Sequence, residues 1–251
     1  MSRFKIMTFN IASCHGSDRG IADVAFAIEQ EQPDLVALQE VDKFTRRSGR
    51  LIDQAAQLAN LSHLSHSFFI HSMDFDDGQY GNAILSRFSF ENVKLEHHLD
   101  GQNRGETRSI GIISVKTSNE YRLFFGVMHL ESEIENLRIA QVRQAIELYR
   151  KIVPDDQPFI LAGDFNDSPT SQALNLLLTE GRLLLPCTEC PTTYPADHPN
   201  QTLDYILMNT KASATFKLNN YRVSNIKKAS DHCPLIMELR SSSSLFSIFN
   251  L

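Results

Sequence analysis

The sequence lacks tryptophan altogether and has only four cysteines in 251 residues. Without tryptophan, no aromatic stacking platform for single-stranded nucleic acid is evident. Four cysteines are too few to cross-link a domain of this length as a disulfide scaffold. Cys187 and Cys190 form one CxxC pair, but no second pair follows. We therefore expect a loop with two thiols there rather than a structural zinc site.

The sequence also lacks a net positive charge and long apolar runs. The formal net charge of -6 argues against a protein that binds long nucleic acid tightly and without sequence preference, although a local basic cleft stays possible. No segment approaches the roughly 18 consecutive apolar residues that a membrane span requires. The first residues lack the apolar core and cleavage site of a signal peptide. We expect a cytoplasmic protein without a membrane span, and its oligomeric state stays open.

The hydrophobic content of 42% is enough for a large core, and no Gly-, Ser- or Pro-rich linker divides the chain. We expect one catalytic domain over residues 1–240 and a tail over 241–251 that begins with four serines. Apolar spacing predicts helices near 21–32, 52–60, 135–152 and 170–181. Short apolar runs predict strands near 3–11, 34–42, 64–71, 80–86, 107–117, 121–130, 159–162, 202–209, 214–224 and 233–240. The mixture predicts a layered α/β or α+β domain.

The segment PFILAGDFNDSP at 158–169 predicts a buried strand that ends in functional side chains. Its apolar run stops at Gly163, and period-two alternation projects Asp164 and Asn166 to the same side. A carboxylate beside an amide suits a base next to a hydrogen-bond donor. For this segment alone, a turn in which Asp and Asn merely shape the backbone is an equally good interpretation.

Other predicted strands also carry acidic, amide or imidazole side chains at their ends or in the loops next to them. If the strands converge in sheets, these side chains gather at one rim and supply oxygen ligands for Mg²⁺ together with acid and base groups. Taken singly, each is more often structural. The set comprises Asn10, Glu40, His129, Asp164 with Asn166, Asp204, and Asp231 with His232.

Seven short motifs in a fixed order carry a family resemblance: TFNI, LQEVD, GNAILS, MHLE, GDFND, LDYI and SDHCP, from residue 8 to residue 234. Their order resembles the endonuclease/exonuclease/phosphatase superfamily, which includes pancreatic-type deoxyribonuclease, apurinic endonucleases, inositol polyphosphate 5-phosphatases and neutral sphingomyelinases. The resemblance implies an α+β fold, a four-layer α/β/β/α sandwich of two mixed sheets flanked by helices, with the site at one rim.

The resemblance also implies roles for the metal and phosphate ligands. Glu40 is similar to the principal Mg²⁺ ligand, with Mn²⁺ as an alternative ion. Asn10 is similar to a residue close to the metal and to a phosphate oxygen. Asp231 is similar to a residue near the metal or a second metal position. Asn166 is similar to a residue that steadies the phosphate, and we treat Arg108 as a phosphate contact or, equally, as one half of a surface ion pair.

The remaining implied roles are acid and base roles. Asp164 is similar to the residue that orients or deprotonates the attacking water. His232 is similar to the imidazole that contacts the phosphoryl group, and Asp204 to the carboxylate that holds its tautomer. His129 is similar to the leaving-group acid of the deoxyribonuclease branch, but the glutamate that pairs with that acid has no counterpart here.

The leading hypothesis is a Mg²⁺-dependent phosphoesterase that hydrolyses a phosphodiester or phosphomonoester by in-line attack of water. One alternative is a metal-dependent endonuclease or exonuclease on DNA or RNA. A less favoured alternative is a non-catalytic binding domain that has kept the rim. Substrate choice resides in loops, and loop sequences do not reveal shape.

Overall fold

Within residues 3–100, 104–117, 121–226 and 228–241, which the computed structural model describes, the chain forms twelve strands and five α-helices. The helices are α1 (Ile21–Glu31), α2 (Gln54–Leu61), α3 (Glu135–Ile152), α4 (Gln172–Thr179) and α5 (Thr210–Thr215). The strands are β1 (Arg3–Asn10), β2 (Leu35–Lys43), β3 (His66–Phe75), β4 (Gly78–Ser86), β5 (Phe90–Leu99), β6 (Arg108–Lys116), β7 (Arg122–His129), β8 (Phe159–Asp164), β9 (Leu183–Leu184), β10 (Asp204–Asn209), β11 (Phe216–Val223) and β12 (Leu235–Ser241).

The strands form two mixed six-stranded sheets. The first has the order β11-β12-β1-β2-β4-β3 and the second has the order β5-β6-β7-β8-β10-β9. The pairs β1–β2 and β7–β8 are parallel, and the other pairs are antiparallel. The predicted α+β class and the four-layer α/β/β/α sandwich are therefore confirmed.

Three apolar layers hold the sandwich together. One layer lies between the two sheets and includes Ile6, Ile160 and Leu235. A second joins α3 and α4 to the outer face of the second sheet, and a third joins α1 and α2 to the outer face of the first. Each sheet therefore buries both faces, which explains why its central strands are almost continuously apolar.

Strand β8 shows how this layering follows from the sequence. Phe159 and Leu161 belong to the helix-side layer, whereas Ile160 and Ala162 belong to the layer between the sheets. At Gly163 the neighbouring strand comes so close that a Cβ would lie 1.8 Å from a carbonyl oxygen of β7. Glycine permits this approach and fixes the position of the residue that follows.

Some elements differ from the sequence prediction. Strand β5 was not predicted, because it is an edge strand with a polar stretch, Lys94 and residues 96–98, instead of a clear alternation. The short α5 was not predicted, and the strand predicted near 214–224 begins only at Phe216. Residues 118–120, between the strands predicted near 107–117 and 121–130, and residues 242–251 of the predicted tail lie outside the described residues. In the described part of the chain, no helix has both the length and the apolar character to cross a membrane.

Candidate active site

Five of the predicted side chains meet at one rim because their strands begin, bend or end there. His129 closes β7, Asp164 closes β8 and Asp204 opens β10, and the three occupy directly paired positions across neighbouring strands. In the first sheet, Asn10 closes β1 next to the part of β2 that carries Glu40. Residues in directly paired positions share a face of the sheet. The two sheets thus bring carboxylates, an amide and an imidazole together.

The side-chain amide of Asn10 connects the two sheets at this rim. Its Nδ2 donates to Glu40 Oε1 at 2.9 Å and to Asp164 Oδ2 at 3.0 Å. Its Oδ1 accepts from the backbone N–H of Ala12 at 3.1 Å, and this bond orients the amide so that its NH₂ group faces the carboxylates. Asn10 therefore acts here as a hydrogen-bond donor, and its oxygen is engaged away from Glu40.

An irregularity in β2 presents Glu40. The pairing of β2 with β4 shifts register between Leu38 and Val41, and Glu40 has a φ of 57°. Such a backbone conformation costs a non-glycine residue roughly 1 to 3 kcal/mol, and a bulge re-aims the side chain that it carries. Glu40 is half-buried, whereas the residues on either side of it are fully buried. The residue with the strained backbone, Glu40, is therefore the one whose carboxylate reaches the rim.

His232, on the loop before β12, is oriented by Asp204. Its Nδ1 lies 2.9 Å from Asp204 Oδ2, and its ring packs against Tyr194 with centroids 4.8 Å apart. Burial alone would lower the pKa of His232, but the carboxylates of Asp204 and Asp164 outweigh burial and raise it to about 10. His232 is therefore an imidazolium at neutral pH, with Nε2 3.7 Å from Asp164 Oδ2.

Asp164 lies at the centre of the rim and is 1% exposed. Burial, together with the negative charge of Asp204, raises the pKa of Asp164 to about 7, although His232 and two hydrogen bonds oppose this shift. One of these bonds comes from the backbone N–H of Asn166, which reaches Asp164 Oδ1 at 2.9 Å. A carboxylate whose pKa lies near neutrality is suited to exchange a proton with water.

His129 has a cation as its neighbour. Arg108 Nη1 lies 3.2 Å from His129 Nδ1, while Arg108 Nη2 pairs with Glu106 Oε2 at 2.9 Å. A guanidinium can only donate, so His129 Nδ1 is an acceptor and the ring proton lies on Nε2. Burial, followed by the charges of Arg108 and His232, holds the pKa of His129 well below its usual range. His129 is therefore neutral.

Two hydrogen-bond donors meet beside Asp164. His129 Nε2 lies 3.0 Å from Asn166 Nδ2, and Asn166 Nδ2 uses one of its protons to bond the carbonyl oxygen of Leu130 at 3.0 Å. The second amide proton and the proton on His129 Nε2 cannot satisfy each other, because both groups donate. An anionic oxygen would accept from both, so this corner of the rim suits a phosphate.

Asp231 stands apart from this network. Its side chain is exposed, and within the described part of the chain it hydrogen-bonds to Ser230 and to none of the other rim residues. Ser230 Oγ also lies 2.7 Å from the carbonyl oxygen of Asn10, to which it donates. Asp231 and Ser230 line a cavity of about 1000 Å³ together with Phe26. Asp231 is therefore at the border between the rim and this cavity.

Two sets of groups at the rim are suited to a metal ion. One atom each from Asp164, Asp204 and His232 lie within 4.8 Å of one another, and Asp204 Oδ1 is buried with no hydrogen-bond partner among the described residues. A metal ion bound by this set would have to displace the proton of His232, because an imidazolium has no lone pair for a metal. Glu40 is the better candidate, because its half-buried carboxylate offers hard oxygen ligands.

Three site residues were not found by sequence reasoning. Tyr194 packs on the ring of His232, and Thr193 Oγ1 accepts from the backbone N–H of Asp204 at 3.3 Å. Both lie in an irregular loop whose sequence gives no periodicity to interpret. Ser230 could have been found, because it is part of the SDHCP motif itself.

The CxxC pair differs from both sequence interpretations. Cys187 and Cys190 are joined by a disulfide bond, so they are neither two free thiols nor half of a zinc site. The other cysteines, Cys14 and Cys233, are buried thiols. Burial and the charge of Asp42 raise the pKa of Cys14 to about 12, which makes it unreactive.

The sequence is similar to that of known proteins over almost its full length. The profile of the Endonuclease/Exonuclease/phosphatase family matches residues 7–232. The uncharacterized protein YbhP of Escherichia coli is 26% identical over 255 residues, which cover 94% of this chain and 96% of YbhP.

The fold is also similar to solved structures. The mannosyl-6-phosphatase of Bacteroides thetaiotaomicron superposes with a TM-score of 0.77 at 18% identity, over 94% of this chain and 99% of the phosphatase. The human Nocturnin catalytic domain superposes with a TM-score of 0.74 at 18% identity, over 96% of this chain and 95% of that domain. These likenesses show the fold. Because the family profile matches residues 7–232, which is most of the chain, the chain belongs to the endonuclease/exonuclease/phosphatase family of phosphoester hydrolases.

Proposed function

We propose that the protein is a Mg²⁺-dependent phosphoesterase that hydrolyses a small organic phosphate by in-line attack of water. The observation that carries this proposal is the continuous chain of contacts from Glu40 through Asn10 and Asp164 to His232 and Asp204. One member of the same fold is a mannosyl-6-phosphatase and another, ANGEL2, is a 2',3'-cyclic phosphatase. The net charge of -6 favours a small substrate over long nucleic acid.

The metal ligand in this proposal is Glu40, with Asp231 as a residue near the ion or near a second ion. A bound Mg²⁺ or Mn²⁺ would neutralise phosphate charge and polarise the phosphorus–oxygen bonds. The ligand atoms would be carboxylate oxygens, which these hard cations prefer. Asn10 contributes by holding the carboxylates of Glu40 and Asp164 in a fixed relation through its two N–H bonds.

The proton of the attacking water goes to Asp164 in this scheme. Its pKa near 7 leaves a substantial fraction ionised at neutral pH, and this fraction can accept a proton. Its two oxygens are held by Asn10 and by the backbone N–H of Asn166, so the carboxylate has a defined direction. Such positioning is the main contribution of the protein to phosphoryl transfer.

His232 and Asn166 stabilise the phosphoryl oxygens. The imidazolium of His232 keeps its proton through neutral pH because Asp204 accepts from Nδ1 and adds negative charge. Its Nε2–H is left to donate to a phosphate oxygen close to Asp164. Asn166 and the neutral His129 donate from the opposite corner, so the charge that develops in the transition state meets fixed donors.

His129 is a hydrogen-bond donor in this proposal and not the leaving-group acid that the family resemblance implies. A neutral imidazole N–H is a poor acid, and protonation of Nδ1 would oppose the guanidinium of Arg108. Arg108 therefore orients His129 and adds positive charge beside the phosphate. Substrates with a good leaving group, or with a leaving group protonated by solvent, fit this arrangement best.

A substrate panel tests the proposal. Purified protein is assayed with Mg²⁺ and Mn²⁺ against aryl phosphodiesters, phosphomonoesters, sugar phosphates, inositol phosphates, sphingomyelin, DNA and RNA. We expect hydrolysis of a diester or a monoester that chelation abolishes, and loss of turnover in Asp164→Asn and His232→Gln with an unchanged fold. Inert wild-type protein across the panel, or variants that turn over as fast as the wild type, contradicts the proposal.

A further inference from the structure

Two histidines face each other where the edge strands of the two sheets meet. His71 lies on β3 and His98 lies on β5, and these strands are the edges of the first and second sheets. His71 Nδ1 and His98 Nε2 are 3.2 Å apart, with ring centroids separated by 5.3 Å. Neither histidine belongs to the hydrogen-bond network of the rim, so the proposed phosphoesterase chemistry does not account for their contact.

Two carboxylates complete this cluster. Asp74 Oδ1 lies 3.0 Å from His71 Nε2, and Glu96 Oε2 accepts from the backbone N–H of His71 at 3.3 Å. Because a carboxylate accepts, the ring proton of neutral His71 lies on Nε2 and its Nδ1 lone pair points towards His98. A carboxylate that fixes the tautomer of a histidine in this way is the usual outer partner of a metal-bound imidazole.

The spacing of the two ring nitrogens suits one transition-metal ion. Two nitrogens bound to a tetrahedral Zn²⁺ at 2.0 to 2.1 Å are separated by about 3.4 Å, close to the distance between His71 and His98. Without an ion, the same contact is a single hydrogen bond between two rings, one of which donates. Glu96 lies two residues before His98 on the same face of β5. Its Oε2 accepts from the backbone N–H of His71 in the structure, so a rotation of its side chain would bring the carboxylate to the ion as a third ligand.

The charge around the pair favours a cation over a phosphate. Glu96 and His71 line a cavity of about 350 Å³ that opens to solvent and provides access. Lys43 and Lys94 also line it, but the ammonium of Lys43 pairs with Asp53 at 3.3 Å and that of Lys94 lies 4.4 Å above the ring of Phe68. The exposed carboxylate of Asp74 adds negative charge next to His71.

We propose that His71 Nδ1 and His98 Nε2 bind one Zn²⁺-like transition-metal ion, with Glu96 as a further ligand and Asp74 as the outer partner of His71. The ion would join β3 to β5 and so connect the open edges of the two sheets. The site is separate from the rim position of His129, because His98 occupies the same row across the second sheet but lies two strands away. Imidazole ligands select Zn²⁺, Cu²⁺ or Ni²⁺ over Mg²⁺.

The test measures Zn²⁺ binding in a Glu40→Gln background, which removes the principal ligand of the rim. We expect calorimetry to show one Zn²⁺ site in this background that excess Mg²⁺ does not displace. His71→Ala and His98→Ala should abolish that site, and Asp74→Asn should weaken it by about tenfold. Long-range ¹H–¹⁵N spectra of the imidazoles should show Zn²⁺ shifting Nδ1 of His71 and Nε2 of His98.

His97 provides a matched control. His97 directly precedes His98 in β5, is exposed, and lies on the opposite face of the strand from His98. His97→Ala should bind Zn²⁺ as tightly as its parent, and thermal unfolding of all variants without metal checks that each is folded. Zn²⁺ affinity that is unchanged in folded His71→Ala and His98→Ala, or lost equally in His97→Ala, overturns the proposal whether or not the protein is a phosphoesterase.

Discussion

The protonation states of His232, Asp164 and His129 are set by burial together with the charges that each one faces. His232 lies against two carboxylates and holds its proton. His129 also lies 3.6 Å from Asp164 Oδ2, but burial and the guanidinium of Arg108 keep it neutral. Asp164 is buried next to another carboxylate, so its pKa rises towards neutrality. His232 thus becomes a charged hydrogen-bond donor, Asp164 a base and His129 a neutral hydrogen-bond donor.

Asp204→Asn tests the charged donor. Removing this carboxylate removes the charge that raises the pKa of His232, so the pKa should fall well below about 10. Activity should then drop about a hundredfold or more at neutral pH and decline further as pH rises and His232 loses its proton. NMR titration of His232 in the wild type and the variant measures the shift. An unchanged titration would show that Asp204 does not set the charge of His232.

His129→Gln and His129→Ala separate the two roles of His129. Glutamine retains an N–H donor, so it should keep turnover within about tenfold of wild type, whereas alanine should lose more. The comparison uses substrates with nitrophenyl and alkyl leaving groups. If both variants are equally impaired with alkyl leaving groups and nearly normal with nitrophenyl groups, His129 is an acid and the donor role is wrong.

At the scale of single elements, the site depends on how strands β7, β8 and β2 are built. The close approach at Gly163 sets Asp164 beside His129, and the register shift in β2 turns Glu40 towards the rim. Backbone features of this kind place side chains more rigidly than loops do. Substitutions that disturb these backbone features should therefore lower both the stability of the fold and the activity.

Gly163→Ala tests this dependence. The added Cβ would lie 1.8 Å from a backbone oxygen, so β7 and β8 must separate, and the free energy of unfolding should fall by about 3 kcal/mol or more. Gly126→Ala in β7 is the matched control, because its nearest contact is the end of a leucine side chain. Urea denaturation measures both. Equal, small losses would show that the close backbone approach is unimportant.

Much of this element-level structure could be predicted from the sequence. Apolar runs that end in Asn10, Asp164 or His129 predicted strand ends, and these strand ends do form the rim. The contact between Arg108 and His129 could not be predicted, because it depends on the packing of two strands rather than on a pattern within one. Strand β5 was missed for the same reason, since only its position at the sheet edge explains its polar residues.

For the whole molecule, the rim carries a cost in stability. The pKa of Asp164 is raised from 3.8 to about 7 in the folded protein, so its ionisation opposes folding as pH rises through this interval. The pKa of His232 is raised from 6.5 to about 10, so its stabilisation is complete below 6.5 and lost as pH rises towards 10. Both shifts make the fold less stable in alkaline solution.

Asp164→Asn tests this linkage. Above pH 7 the variant lacks the buried charge and should unfold at a higher temperature than the wild type, while below pH 4 the difference should be small. Thermal unfolding across this pH range measures it. A destabilisation of the variant that grows as pH rises would show that Asp164 stabilises the fold in its ionised form, and a difference independent of pH would show that its ionisation is not linked to folding.

The central claim is that a divalent metal at Glu40 supports hydrolysis at this rim. Titrating Mg²⁺ against turnover in the wild type and in Glu40→Gln tests it most directly, with circular dichroism to confirm the fold of the variant. Wild-type turnover should be abolished by chelation and restored by Mg²⁺, and Glu40→Gln should require at least about tenfold more Mg²⁺ and turn over more slowly. Turnover that persists in chelator, or an identical Mg²⁺ dependence in Glu40→Gln, would contradict the claim.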